Sequence, residues 1–263
     1  MTIFDSHCHL QLEQFDDDRE DVYQRARSSG VEEMIVIGID TTSSLDALSF
    51  CEDHEGCYPT AGLHPHEADF IYEQTNGLRK LLNQSETVAV GETGLDFHKE
   101  YSPRTQQEES LATHLNWAIE FEKPLIFHCR DANETLIEIL EDNMASLNDA
   151  FGERPPGVVH CFSGNREHLQ TYQDMGFYVS FSGIITLPNS DEVQDAATAA
   201  DPDQVLVETD SPFIAPAENR GKRNEPAFIT ETVEQLASLM NMEPDDLAQK
   251  TTENARDLFL SGS

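Results

Sequence analysis

The chain has 263 residues, of which 38% are hydrophobic and 25% are charged, the proportions of an ordinary globular protein. No apolar run approaches the ~20 residues needed to span a bilayer, and no basic segment followed by an apolar stretch begins the chain. We therefore expect neither a membrane helix nor a signal peptide. Fifty acidic residues against 16 basic ones give a formal net charge of −34, which argues against a broad basic groove for nucleic acid.

Cysteine usage and charge also bear on the environment of the protein. Five cysteines, an odd number without a C-x-x-C pair, favour reduced thiols and a cytoplasmic location. A diffuse acidic surface with few lysines favours adaptation to high salt, where screening removes self-repulsion. The alternative is an acidic protein that merely stays soluble. No obligate protein partner is indicated.

Short β-branched or apolar runs predict eight strands, and each is followed by a stretch with helical spacing. The predicted strands are 3–7, 34–39, 58–63, 87–92, 124–128, 157–160, 177–182 and 205–210. Strictly alternating strands and helices are typical of a parallel α/β sheet, and eight such units close a barrel. The length suits one domain, so we expect a single (β/α)8 TIM barrel over residues 1–263.

Polar residues stand where the predicted strands end. Because active sites of such barrels lie at the C-terminal ends of the strands, these side chains should converge on one rim. A lone histidine is usually structural, but a convergent set is hard to explain by packing. The set consists of His7, His9, His64, His66, Glu92, His128, His160 and Asp210.

This set has the chemistry of a metal centre. The two-residue period of a strand puts His7 and His9 on one side, where both could bind one ion. Glu92 has two oxygens and could bridge to a second ion held by His128 and His160. Asp210 could bind the first ion and orient or deprotonate the attacking water. We therefore expect two divalent ions as cofactors, with Asp210 and Glu92 as the catalytic residues.

Glu208 has the same strand parity as Asp210 and could also face inward. We weigh two roles for it equally: support behind a metal ligand, or a buried carboxylate in a structural ion pair.

At these residues the chain resembles the TatD family of metal-dependent deoxyribonucleases. Seven segments match its motifs in order: Asp-Ser-His-Cys-His-Leu at 5–10, Gly-Leu-His-Pro-His at 62–66, Gly-Glu-Thr-Gly-Leu-Asp at 91–96, His-Cys-Arg-Asp-Ala at 128–132, His-Cys-Phe-Ser-Gly at 160–164, Glu-Thr-Asp-Ser-Pro at 208–212 and Arg-Gly-Lys-Arg-Asn-Glu-Pro at 220–226. The resemblance implies metal-dependent hydrolysis of phosphodiesters in DNA, with exonuclease action on single strands. It places the metal ligands at His7, His9, Glu92, His128, His160 and Asp210.

A second group of residues is predicted to contact substrate phosphates. His64 and His66 could bind phosphate rather than metal. Arg130 follows His128 directly and could hold a phosphate oxygen, or could pair with a neighbouring acid. The densest basic cluster follows the eighth strand, where barrels often bind phosphate, and consists of Arg220, Lys222 and Arg223.

Two other functions stay open at this stage. One is a metal-dependent amidohydrolase or esterase acting on a small molecule or an aminoacyl ester, although relatives of that type often have a carboxylated lysine where Glu92 stands. The other is a non-enzymatic metal-binding barrel, which predicts loss of the carboxylate that Asp210 supplies. The metal is also open, since imidazoles suit zinc while carboxylates and phosphodiester chemistry suit magnesium or manganese.

Overall fold

A computed structural model describes residues 1–261 and shows eight strands arranged around one sheet in sequence order. Every neighbouring pair is parallel. The strands are β1 Ile3–Cys8, β2 Val31–Val36, β3 Cys57–Ala61, β4 Ala89–Asp96, β5 Leu125–Arg130, β6 Gly157–Val159, β7 Tyr178–Phe181 and β8 Val205–Val207.

Backbone hydrogen bonds just beyond β8 join it to the end of β1. The Asp210 N–H donates to His7 O at 2.8 Å, and the His9 N–H donates to Ser211 O at 2.8 Å. These bonds bring the chain after β8 beside β1, so the sheet forms a nearly closed cylinder. With a helix after every strand, the architecture is the predicted (β/α)8 TIM barrel.

Nine α-helices lie within the described residues, and none of these is long and apolar enough to cross a membrane. Their N-terminal signals are local: Asp40 and Ser43 form a reciprocal capping box at the start of α2, and Asn165 forms one with His168 at the start of α6. The helices are α1 Arg19–Ser28, α2 Thr41–Asp53, α3 Ile71–Leu82, α4 Arg104–Phe121, α5 Asn133–Phe151, α6 Arg166–Asp174, α7 Asp191–Ala197, α8 Ile229–Met240 and α9 Pro244–Leu260.

The core has two layers. One fills the space between the barrel and its helices, where alternate strand residues such as Ile3, Met34 and Val36 are buried. The other lies inside the barrel at its N-terminal end, where strand residues pack against Leu258 and Phe259 of α9. Because α9 closes that end of the barrel, the C-terminal rim is the end left for a site.

The observed β4 runs four residues past its predicted end, since the prediction gave 87–92 and the strand continues to Asp96. Its parallel register with β5 runs on through Gly94 and His128 to Asp96 and Arg130. Gly94 has a φ of 139°, and a Cβ there would lie 2.1 Å from His128 O, so only glycine permits this close approach. In the sequence, Gly94 interrupts the apolar run that predicts a strand, which is why the predicted strand ended too early.

The observed β2 begins three residues before its predicted start, at Val31, although Glu32 and Glu33 interrupt the apolar run. Pairing of Val31 with Ile3 in β1 starts the ladder there. The two glutamates are accommodated because Glu32 is exposed and Glu33 is partly exposed, although Val31 beside them is buried.

Candidate metal centre

The six predicted metal ligands lie together at the C-terminal rim of the barrel. Five come from the C-terminal half of a strand or the residues just after one, and Glu92 lies in the middle of β4, so the fold alone brings together side chains up to about 200 positions apart. They are largely withdrawn from solvent, which strengthens electrostatic interactions among them. The six are His7, His9, Glu92, His128, His160 and Asp210.

Four of these side chains form a first donor set. His7 Nε2 lies 3.2 Å from His9 Nε2, 3.4 Å from Glu92 Oε2 and 3.7 Å from Asp210 Oδ1. His9 Nε2 lies 3.8 Å from the same oxygen of Glu92 and 3.4 Å from that of Asp210. Ligand atoms at about 2.0–2.2 Å around a four-coordinate ion are about 3.3–3.6 Å apart, so this donor set fits a metal ion.

The other oxygen of Glu92 is the centre of a second donor set. Glu92 Oε1 lies 2.9 Å from His160 Nε2, 3.0 Å from His128 Nδ1 and 3.4 Å from His64 Nε2. Three imidazole nitrogens therefore converge on one carboxylate oxygen. Since Oε2 belongs to the first set, the Glu92 carboxylate has one oxygen in each.

His64 joins this cluster as a hydrogen-bond donor. The backbone N–H of His66 donates to His64 Nδ1 at 3.2 Å. Burial lowers the pKa of His64 to about 4, so its ring is neutral at pH 7. A neutral imidazole that accepts at Nδ1 carries its proton on Nε2. That tautomer makes His64 a donor toward Glu92 and toward an anion, as the predicted phosphate contact requires.

Buried hydrogen-bond acceptors orient two of the candidate ligand rings, on the side of each ring that faces away from the cluster. His9 Nδ1 lies 3.2 Å from Ile37 O, which leaves the Nε2 lone pair facing the cluster. His160 Nδ1 lies 3.3 Å from Glu208 Oε1, and the same oxygen accepts from the Cys161 N–H at 2.7 Å. Carboxylates and carbonyls commonly orient metal-binding histidines in this way. Glu208 therefore contacts the nitrogen of His160 that faces away from the cluster and orients its ring.

Asp96 is the site residue that sequence reasoning missed. Its Oδ2 lies 2.7 Å from His66 Nε2 and 3.3 Å from His128 Nε2. Its Oδ1 accepts backbone N–H bonds from His98 at 3.0 Å and Lys99 at 2.8 Å. Burial raises the pKa of Asp96, but the bonds from His128, Lys99 and His66 outweigh it and lower the pKa. The sequence did contain a signal for it, because Asp96 lies four residues after Glu92 and an even spacing on one strand puts both side chains on the same face.

Comparison with known proteins decides the family. The sequence model of the family described as "TatD related DNase" matches residues 4–260. The chain belongs to the TatD family. It is 37% identical over 258 residues to the uncharacterized metal-dependent hydrolase YabD of Bacillus subtilis, covering 98% of each chain. It is 36% identical over 264 residues to the 3'-5' ssDNA/RNA exonuclease TatD of a Rahnella species, covering 98% of each.

A solved structure agrees with this assignment. The crystal structure of YjjV, a TatD homolog from Escherichia coli K12, superposes with a TM-score of 0.90 at 27% identity, covering 98% of this chain and 97% of that one. This TatD-family chain is therefore a metal-dependent hydrolase acting on ester bonds, and its buried histidine and carboxylate cluster fits divalent metal binding.

Burial and neighbouring charges together set the pKa values of the side chains in this TatD-family site. Burial raises the pKa of Glu92, but His160, His64 and His128 outweigh it and hold the pKa well below the usual 4.5. Burial lowers the pKa of His160, while Glu92 and Glu208 together raise it well above 6.5. In His7, burial and the nearby His160 lower the pKa to about 3. Glu92 is thus anionic and His7 neutral at pH 7, the forms that bind metal, whereas His160 must lose its proton to bind an ion.

The predicted phosphate-binding cations are engaged to different degrees. Arg223 donates two bonds of 2.8 Å to Asp18, so its guanidinium is already paired. Lys222 Nζ donates to Asn219 Oδ1 at 2.7 Å. Within residues 1–261, the side chains of Arg130 and Arg220 make no hydrogen bond or ion pair. Arg130, at the end of β5, is therefore free to contact an anion beside the cluster.

Proposed function

We propose that this TatD-family hydrolase cleaves phosphodiester bonds of single-stranded DNA as an exonuclease, using two divalent ions. The observation that carries the proposal is that the two carboxylate oxygens of Glu92 belong to two separate donor sets. His7, His9 and Asp210 would hold one ion, and His128 and His160 the other. When bound, two such ions polarise a phosphoryl oxygen and increase the acidity of water at neutral pH.

Asp210 is suited to accept the proton of the attacking water. Within residues 1–261 no group donates a hydrogen bond to its carboxylate, which is buried as part of the first donor set. Its position is fixed by the backbone, since its N–H donates to His7 O and its carbonyl accepts from the Phe213 N–H, each at 2.8 Å. A held carboxylate with accepting capacity is what a general base requires.

Two further side chains are suited to hold the scissile phosphate. The Nε2–H of His64 faces the second donor set and can donate to a phosphoryl oxygen without adding positive charge. Arg130 has a free guanidinium, which can bind two oxygens of one phosphate. His66 and the loop of Arg220, Lys222 and Arg223 would contact phosphates further along the strand. The Rahnella relative's description as an ssDNA/RNA exonuclease supports this substrate class.

A substrate comparison tests the proposal. The purified protein is stripped with chelator, reloaded with Mg²⁺, Mn²⁺ or Zn²⁺, and assayed on a single-stranded oligonucleotide, a small phosphodiester and a cyclic amide. We expect hydrolysis of the oligonucleotide and no hydrolysis of the amide, with activity restored only after metal is returned. A variant without the first histidine pair, with both His7→Ala and His9→Ala, is the matched inactive control.

Product analysis separates exonuclease from endonuclease action. An exonuclease releases mononucleotides from one labelled end before the other end shortens. Turnover of the amide without turnover of either phosphodiester would refute the proposal in favour of the amidohydrolase alternative.

A further inference from the structure

Exposed aromatic side chains are concentrated near the metal-binding rim. Within residues 1–261, four aromatic side chains are substantially exposed: Phe70, Tyr72, Tyr101 and Phe213. Phe70, Tyr101 and Phe213 follow β3, β4 and β8, in loops that surround the rim. Exposing a large aromatic ring leaves apolar surface in water, so a cluster of them at one end of a barrel points to a ligand.

Phe213 stands beside the first donor set. Its ring meets the His9 ring edge to face, with centroids 5.7 Å apart, and remains 44% exposed. Its backbone is held on both sides, because its N–H donates to Asp210 O at 2.8 Å and its carbonyl accepts from Asn224 Nδ2 at 2.6 Å. Asn224 is fully buried, so the loop that carries the exposed ring is itself anchored.

Tyr101 stands on the side of the second donor set. Its ring meets the His66 ring edge to face at 4.7 Å and is 68% exposed. His66 in turn is hydrogen-bonded to Asp96, which also contacts His128. The next residue, Ser102, is buried and its hydroxyl lies 2.9 Å from His66 O, which holds Tyr101 at this place.

Electrostatics alone offers little affinity for a nucleic acid here. The chain carries a net charge of −34, and most of its arginines are paired with acids. Stacking of a base on an aromatic ring does not depend on net charge, and every base has a face to offer. Rings that already contact the site histidines are placed to supply that stacking next to the reacting phosphate.

We propose that Phe213 and Tyr101 form an aromatic clamp, in which each ring stacks on one of the two bases that flank the scissile phosphate of a single strand. The clamp rests on the proposed phosphodiesterase function. It makes the two rings binding residues that select a strand end with unpaired bases.

The first experiment combines ring removal with base removal. Phe213→Ala and Tyr101→Ala are assayed on a short single strand and on the same strand with abasic sites at its terminal positions. On the normal strand each variant should raise KM about tenfold, equivalent to about 1.4 kcal/mol, with a much smaller change in kcat. On the abasic strand the variants and the wild type should agree within about twofold, because no base is left to stack.

Matched variants control for packing. Phe213→Trp keeps a stacking face and should retain the wild-type KM. Tyr72→Ala removes a ring that is equally exposed but contacts none of the site histidines, and should not change KM. Equal losses on normal and abasic strands, or no loss on either, would overturn the clamp.

A binding measurement separates the clamp from the proposed reaction. A single strand with 2-aminopurine at its end is titrated with metal-stripped protein in 1 M KCl, where charge repulsion is screened. Stacking should quench the fluorescence with wild type and Tyr72→Ala, and quench it much less with Phe213→Ala. Quenching without any hydrolysis in the metal-loaded assay would refute the phosphodiesterase proposal and leave the two rings as a stacking site for a single strand without a scissile phosphate between them. Absence of quenching with wild type would refute the clamp even if hydrolysis occurs.

Discussion

Glu92 is the residue on which the candidate centre depends. One of its oxygens faces His7 and His9, and the other faces His128 and His160. Because a single buried carboxylate serves both donor sets, its loss should affect both. This distinguishes it from candidate ligands such as His9, which belong to one set.

We therefore expect Glu92→Ala to lower metal content and activity together. Without the bridging carboxylate, the second donor set has only imidazoles, and the first keeps only Asp210 to offset the charge of the ions. Metal content is measured by elemental analysis, and activity is measured as hydrolysis of an oligonucleotide. Thr93→Val, at the adjacent buried position whose hydroxyl has no partner within residues 1–261, should change neither. A variant that retained two ions per chain and a normal rate would reduce Glu92 to a supporting role.

Asp210→Asn should abolish turnover while at least one metal stays bound. The amide keeps the size of the side chain and cannot accept a proton, and loss of a general base costs about 10²–10⁴ in rate. Metal content and phosphodiester hydrolysis are measured on the same preparation. Asp195→Asn, at an exposed carboxylate paired with Arg166, is the control. Near-normal activity would contradict the role assigned to Asp210.

At the scale of elements, α4 holds the end of β3. His114 of α4 is fully buried, and its Nε2 accepts the Leu63 N–H at 3.0 Å while Nδ1 donates to Ser110 O at 2.7 Å. Leu63 directly precedes His64. A buried histidine outside the predicted site therefore fixes the segment that presents a donor to the site.

This contact predicts a pH dependence of stability. Burial lowers the pKa of His114 from its usual 6.5 to about 4. A depressed pKa means that the folded protein excludes the proton, so the stability is fully present above about 6.5 and is lost as pH falls toward 4. For this one group the loss is on the order of 3 kcal/mol in the free energy of unfolding.

Chemical denaturation of metal-free protein between pH 7 and pH 4 measures this loss in the free energy of unfolding. His114→Gln should be less stable at pH 7 and should lose less stability on acidification than wild type. Leu115→Ala, at a neighbouring buried position, should lower stability at every pH without changing that slope. Parallel curves for His114→Gln and wild type would show that His114 carries no such linkage.

At the scale of the whole molecule, the surface carries its charge as a broad acidic field. Basic side chains largely pair with acids on neighbouring elements, as in Arg25 with Glu225 and Lys250 with Asp203. Only local groups at the rim, such as Arg130, remain free to meet a phosphate. On the proposed function, affinity for a nucleic acid would then rest on the two ions and these local contacts.

We expect activity on DNA to stay flat or rise between dilute buffer and molar KCl. Most nucleic-acid enzymes weaken steeply with salt, with a slope of about −0.9 per neutralised phosphate on duplex DNA. At 1 M salt the screening length is about 3 Å, so repulsion from the acidic surface is removed. Initial rates on a short single strand are measured at constant divalent metal, with folding followed by circular dichroism. A steep monotonic fall in rate with the protein still folded would contradict the salt adaptation.

The sequence by itself determined the barrel and which candidate ligands meet at its rim. Alternating apolar runs and helical stretches report which faces are buried, and parallel strands must end at one rim. His7, His9, Glu92, His128, His160 and Asp210 therefore meet wherever the exact strand ends fall. The barrel and the TatD family are confirmed, while the ion count and the individual roles stay predictions.

Only the tertiary structure decided how the surrounding groups are used. Asp96 enters the site because β4 stays paired with β5 past Gly94, and register across strands is not visible in one strand's composition. The tautomer of His64 depends on a backbone N–H in the following turn, and Arg223 is committed to Asp18 on another element. Periodicity encodes burial, whereas these contacts arise from elements distant in sequence, so their geometry follows from packing.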